Sequence, residues 1–151
     1  MKQMTLELIE KYQRPVVKLT DFFGLEAMID TGAVYPIWMN GEERLQRLGA
    51  VKKQESVPFG GLGGMTSGAL YEIPLFRLGG LFFPCMGIIA HRSNFPVPLL
   101  LPATMFNNLI YEINNKTHRL NITVPDDESV SRNLTIKDSG GRLHVICTSA
   151  E

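Results

Sequence analysis

The chain has little of what several functional classes require. It holds only two cysteines, Cys85 and Cys147, in no Cys-x-x-Cys spacing, which argues against a disulfide framework and suits a reduced compartment. Fifteen basic and fifteen acidic residues cancel to a net charge of zero, so no global field gathers nucleic acid or an anionic membrane surface, and neither is expected as a partner. The most apolar stretch, "LGGLFFPCMGIIAH", is interrupted by Gly79, Gly80, Pro84 and Gly87 and is too short for a transmembrane helix. It reads as a buried, kinked strand, in which the Cys85 thiolate would be disfavoured. The N-terminal "MKQMTLELIEKYQRP" sets Glu7, Glu10 and Lys11 where a signal peptide needs an apolar core, and a cytoplasmic location is the expectation. His91, His118 and His144 form no short-spaced ligand cluster with the cysteines, so neither a metal nor an organic cofactor is implied. No Gly-Lys-Ser/Thr follows the glycine-rich stretch at 60–68, which weakens a phosphate-cradling reading.

What is present is one domain's worth of strands. A length of 151 residues and 44% hydrophobic content suffice for a single packed core. "PVVKLT", "LEAMID" and "VYPIWMN" are short runs rich in apolar and β-branched residues, read as three consecutive strands. "GEERLQRLGA" carries Leu45 and Leu48 three apart before Gly49, giving one brief helix. "GGLGGMTSG" reads as the tip of a long hairpin between "KKQESVPF" and "ALYEIPLFRL". Pro102 opens a short helix containing Met105, Phe106 and Leu109, and the tail continues as two hairpins with Asn-Asn and Gly-Gly at their turns. The organisation is therefore an N-terminal segment 1–14, a domain 15–124, and a C-terminal hairpin extension 125–151 of the same domain.

The stretch "FGLEAMIDTGAVYPIW" places Asp30, then Thr31 and Gly32, where an apolar strand should end in a plain turn. An apolar strand entering Asp30-Thr31-Gly32-Ala33, a Gly-Gly-Leu-Gly-Gly hairpin tip thirty residues later, and Leu99-Leu100-Leu101 running into a short helix together resemble the retropepsins, the single-domain aspartic proteases. The resemblance spans Pro15 to Val124. It implies a mainly β, closed barrel-like lobe with a flap hairpin and one or two short helices, acting as a homodimer on a peptide or protein substrate. By the same resemblance Asp30 is the catalytic carboxylate, Thr31 bonds across the dimer axis, and Gly32 lets backbone and substrate approach without a Cβ. Ala33 and Val34 line the substrate wall; Gly61, Leu62, Gly63 and Gly64, with Gly60, form the flap; Met28, Pro98 and Leu100 line apolar pockets beside the cleaved bond.

The physical chemistry of the site runs the same way. One carboxylate is a poor catalyst of peptide hydrolysis, which needs both a base for water and an acid for the carbonyl or leaving amine. Two Asp30 groups meeting about a two-fold axis cannot both ionise cheaply and would share a proton. The chain departs from the family at Pro102, Ala103 and Val34, where an interface ion-pair network is usual, so dimerisation is expected to rest on the C-terminal strand pairs. A second tripeptide, Asp138-Ser139-Gly140, follows Lys137 and precedes Gly141 and reads as a hairpin turn. A rival reading keeps the fold and drops the chemistry: a dimeric assembly or peptide-binding groove that does not cut.

Overall fold

The computed structural model describes residues 1–11, 13–61 and 64–150. Along the chain run β1 (Lys2–Lys11), β2 (Arg14–Leu19), β3 (Leu25–Asp30), β4 (Ile37–Met39), α1 (Glu42–Arg47), β5 (Val51–Gly61), β6 (Gly64–Leu78), β7 (Leu81–His91) and β8 (Leu99–Pro102). A 3-10 turn (Ala103–Phe106) leads to β9 (Ile110–Asn114), β10 (Arg119–Val124), β11 (Arg132–Ser139) and β12 (Arg142–Ser149). The fold is mainly β, with one short α-helix and one 3-10 turn among the described residues.

Ten strands form one sheet in the order β5-β6-β7-β4-β8-β3-β2-β1-β10-β9, and β11 pairs with β12 in a second. The order is linear: β5 and β9 end the sheet and do not pair with each other. The expected closed barrel is thus corrected to an open, folded-over sheet. Closure would need the two end strands in hydrogen-bonding range, whereas among the described residues β5 pairs with β6 alone and β9 with β10 alone. The N-terminal segment supplies β1, whose first half pairs with β10 and whose second half pairs with β2.

Alternation explains how the strands bury a core. In β3 and β8, Ala27, Ile29, Leu99 and Leu101 face the main core, while Met28 and Leu100 face the other way with Val16 and Val97. Phe22, Trp38, Phe76 and Phe83 are buried and touch in sequence, with ring centroids 5.8 Å apart for Phe22 and Trp38, 4.7 Å for Phe22 and Phe76, and 6.1 Å for Phe76 and Phe83. These large rings contribute much of the apolar burial. The β11–β12 hairpin turns Leu134, Ile136, Leu143 and Cys147 inward and sets Ile136 against Gly87 of β7.

Cys85 departs from expectation. It is exposed, with φ of 52° in the middle of β7. The kink read from "LFFPCMG" is there, because Pro84 beside Cys85 and Pro74 opposite it lack N–H groups and the ladder skips the Pro74–Cys85 pair. That same kink turns the thiol outward instead of into the core.

Candidate active site

Asp30 is the last residue of β3, and β3 lies between β2 and β8. Its pairing with β8 is parallel and in register, Ala27 beside Leu99, Met28 beside Leu100 and Asp30 beside Pro102. Two-residue periodicity places Asp30 on the face of Met28 and Leu100, away from the main core. A strand end that would otherwise be buried therefore delivers its carboxylate to an apolar strip built from Val16, Met28, Val97 and half-buried Leu100.

The loop after Asp30 is folded on the carboxylate itself. The Gly32 N–H donates to Asp30 Oδ1 at 3.0 Å, and the Ala33 N–H donates to the Asp30 carbonyl at 3.1 Å. Charge-assisted bonding to a backbone amide orients the carboxylate. Thr31 and Gly32 are exposed, and among the described residues the Thr31 hydroxyl has no partner. A Cβ built on Gly32 would meet Asp30 Oδ1 at 3.5 Å, an ordinary contact, so nothing inside the chain demands glycine there. Val34 is exposed and Ala33 half-buried.

The β5–β6 hairpin is longer-armed than the glycine content suggests. Strand pairing persists through Gly60–Met65 to Gly61–Gly64, so the described part of the glycine-rich stretch is mostly ladder; Leu62 and Gly63, expected at the flap, lie outside the described residues. Gly64 has φ of 102°, a conformation suited to glycine. The hairpin is seated firmly close to its tip end. Phe59 is buried between Tyr35 and His91, at centroid distances of 6.4 Å and 5.3 Å. A Cβ on Gly68 would lie 2.6 Å from the Ala90 carbonyl oxygen, so only glycine lets the arm sit this close to β7.

Of the other anticipated positions, Met28 is buried with Val16 and Val97, and its sulfur lies 4.0 Å from Arg14 Nη1. Pro98 is half-buried, and its carbonyl accepts the Met39 N–H at 2.7 Å. The structure thus brings Asp30, Met28 and Leu100 to one face of neighbouring strands, with Ala33 and Val34 on the loop that follows Asp30.

Two contacts escaped the sequence reading. Thr104 in the 3-10 turn donates its hydroxyl to the Val34 carbonyl at 2.9 Å. Behind that turn Arg132 is fully buried, bonded to the Asn107 carbonyl, to Ser149 Oγ at 3.0 Å and to Glu128 at 3.5 Å. Arg132 shares its strand parity with inward-facing Leu134 and Ile136, which was the available signal. Cys147 contacts the same guanidinium, and burial pushes its thiol up, opposed by Arg132. Among the described residues no three His, Cys, Asp or Glu side chains gather as a metal ligand set, and no helix is long and apolar enough to cross a membrane.

No family model and no curated protein matches the sequence. A solved structure does match: a retropepsin-like aspartic protease from Rickettsia conorii superposes with a TM-score of 0.55 at 13% identity, covering 80% of this chain and 89% of that one. The fold is therefore retropepsin-like.

Proposed function

We propose that the protein is an aspartic endopeptidase that works as a homodimer, cutting peptide bonds between apolar residues. The observation that carries the reading is the Asp30 loop. Its carboxylate is oriented by Gly32, while Thr31 is exposed and its hydroxyl has no partner among the described residues, which is the surface a second identical loop would complete. Two Asp30 groups within hydrogen-bonding reach would hold one proton between them. The ionised carboxylate takes a proton from water, and the protonated one bonds the carbonyl oxygen as negative charge develops there. Met28, Leu100 and Val34 supply apolar walls, and the β5–β6 hairpin is the flap that closes over an extended substrate.

Pairing of the two copies is proposed to use β12. No strand pairs with its outer edge among the described residues, and Ile146 on its outward face is 51% exposed. The hairpin is also joined to the site, since Tyr35 on the loop side donates to the Leu143 carbonyl at 3.5 Å. An unpaired edge next to the catalytic loop suits antiparallel addition of the same strand from a second copy.

The test is to mix wild-type protein with Asp30→Asn under exchanging conditions at fixed total concentration. Each mixed dimer holds one carboxylate and one amide, which cannot serve as both base and acid. Cleavage of a peptide library, inhibited by pepstatin, should fall as the square of the wild-type fraction. A linear fall would show that one chain is a complete site.

A further inference from the structure

The loop from Asp30 to Val34 has to be held at a fixed height for its carboxylate to be useful, and its own hydrogen bonds do not do this. Gly32 to Asp30 Oδ1 and Ala33 to the Asp30 carbonyl fold the loop onto itself. Packing of the far end does not do it either, because the Val34 side chain is 49% exposed. Tyr35 and Pro36 beyond it are anchored, by packing on the core and by the Ile89 N–H, and Val34 itself is tied across the fold by Thr104, whose Oγ1 donates to the Val34 carbonyl at 2.9 Å across 70 positions of sequence.

Thr104 is well placed for that task. β8 runs in register with β3, so Pro102 lies beside Asp30, and two residues later Thr104 reaches across to the loop's other end. The turn that carries it is fixed from behind. Met105 and Phe106 are buried, Arg132 donates to the Asn107 carbonyl, and Cys147 Sγ lies 3.7 Å from the Met105 carbonyl. Ala103 and Val34 have no charge with which to form an ion pair at this junction, so a neutral hydroxyl-to-carbonyl bond spans it. We propose that Thr104 is a positioning residue for Asp30, acting through the Val34 carbonyl to set the height and tilt of the catalytic loop. The proposal rests on the aspartic peptidase reading for its catalytic consequence, and on the loop geometry alone for its structural one.

Thr104→Val keeps the branched shape and removes the donor; Thr104→Ser keeps the donor. Loss of a positioning contact at this range should lower kcat by about 10- to 100-fold in the Val variant with KM little changed, and Tm should move by only about 2–4 °C. The Ser variant should recover to within about threefold of wild type, as the retained hydroxyl demands. Amide hydrogen exchange at residues 31–34 gives a readout independent of cleavage. It should accelerate in the Val variant and stay at the wild-type rate in the Ser variant. Wild-type kcat and exchange in Thr104→Val, or equal impairment of both variants, would overturn the proposal. Should the wild-type protein cleave no peptide while exchange still separates Val from Ser, the peptidase reading falls and the hold on the loop stands. Should exchange fail to separate them, the hold falls whatever the activity.

Discussion

Asp30-Thr31-Gly32 ends a strand flanked on both sides in a ten-stranded sheet, whereas Asp138-Ser139-Gly140 turns the corner of a two-stranded hairpin. Both aspartates accept a glycine N–H at 3.0 Å, from Gly32 in the first case and Gly141 in the second. The local chemistry is thus nearly shared, and the settings are not. Asp30 sits beside an apolar strip and is followed by two exposed residues, of which Thr31 has a hydroxyl without a partner among the described residues. Asp138 is exposed on a turn whose Gly140 and Gly141 have φ of 63° and 82°, the signature of a two-residue hairpin loop, and its other oxygen is taken by Gln54 at 3.2 Å. A tripeptide acquires the prospect of chemistry from the strands that aim it.

The strongest way to break the comparison is to exchange each carboxylate for its amide. Asp30→Asn should lower peptide cleavage by about 10³-fold or more, the scale of losing both acid and base, while Asp138→Asn should leave cleavage within about twofold, as surface substitutions usually do. Equal losses from the two variants, measured as kcat/KM on one peptide, would make the distinction between the loops meaningless.

A second substitution separates demands made inside the chain from demands made outside it. Gly32 is free of internal crowding, so Gly32→Ala should fold with a melting temperature close to wild type. Its new methyl would project from an exposed loop toward substrate and the second copy, and a displacement of that size should lower cleavage by about 100-fold. Loss of folding in this variant would mean that the glycine serves the chain alone.

The hairpin bearing Asp138 is proposed to serve pairing instead of chemistry. Ile146→Lys puts a charge on the outward face of β12, where an isoleucine buried between copies would contribute about 1.5–3 kcal/mol. The dimer dissociation constant should therefore rise by about 10- to 100-fold. Activity should be restored by raising the protein concentration, which analytical ultracentrifugation and an activity titration would follow together. Unchanged dissociation would move the interface away from this strand.

How much of this was readable beforehand follows from the range of each interaction. "LEAMID" announces a strand, and Gly140-Gly141 announces a turn, because both signals are local. β1 had a signal too: Met4, Leu6 and Leu8 alternate with Thr5 and Glu7, a strand period passed over when the same glutamates were used to argue against a signal peptide. Closure of the sheet was misjudged because it depends on whether β5 and β9 meet, and no local pattern encodes that. Cys85 lies in an apolar run, yet Pro84 beside it and Pro74 opposite it interrupt the ladder and turn it out. Thr104 and Arg132 act across 70 and 25 positions of sequence, and only the packed chain brings Thr104 to the loop and Arg132 behind the turn that carries it. Asp30 itself was legible because three separated motifs had to occur in order for the resemblance to arise.

The smallest expected effect is the mirror image of Gly32→Ala. Gly140 has φ of 63°, and a Cβ built there meets nothing within 4 Å, so the cost of Gly140→Ala is conformational and not steric. Holding an L-residue in the left-handed region costs about 1–2 kcal/mol, which for a domain of this size lowers Tm by about 2–8 °C. Cleavage per folded dimer should not change, because Asp138 is exposed and its carboxylate is engaged by Gln54 and the Gly141 N–H and not by the Asp30 loop. The two alanines therefore predict opposite profiles: one stable and inactive, the other less stable and active. Differential scanning calorimetry and a peptide cleavage assay on the same preparations decide it. A fall in activity for Gly140→Ala beyond its loss of folded protein would give the second tripeptide a part in the site.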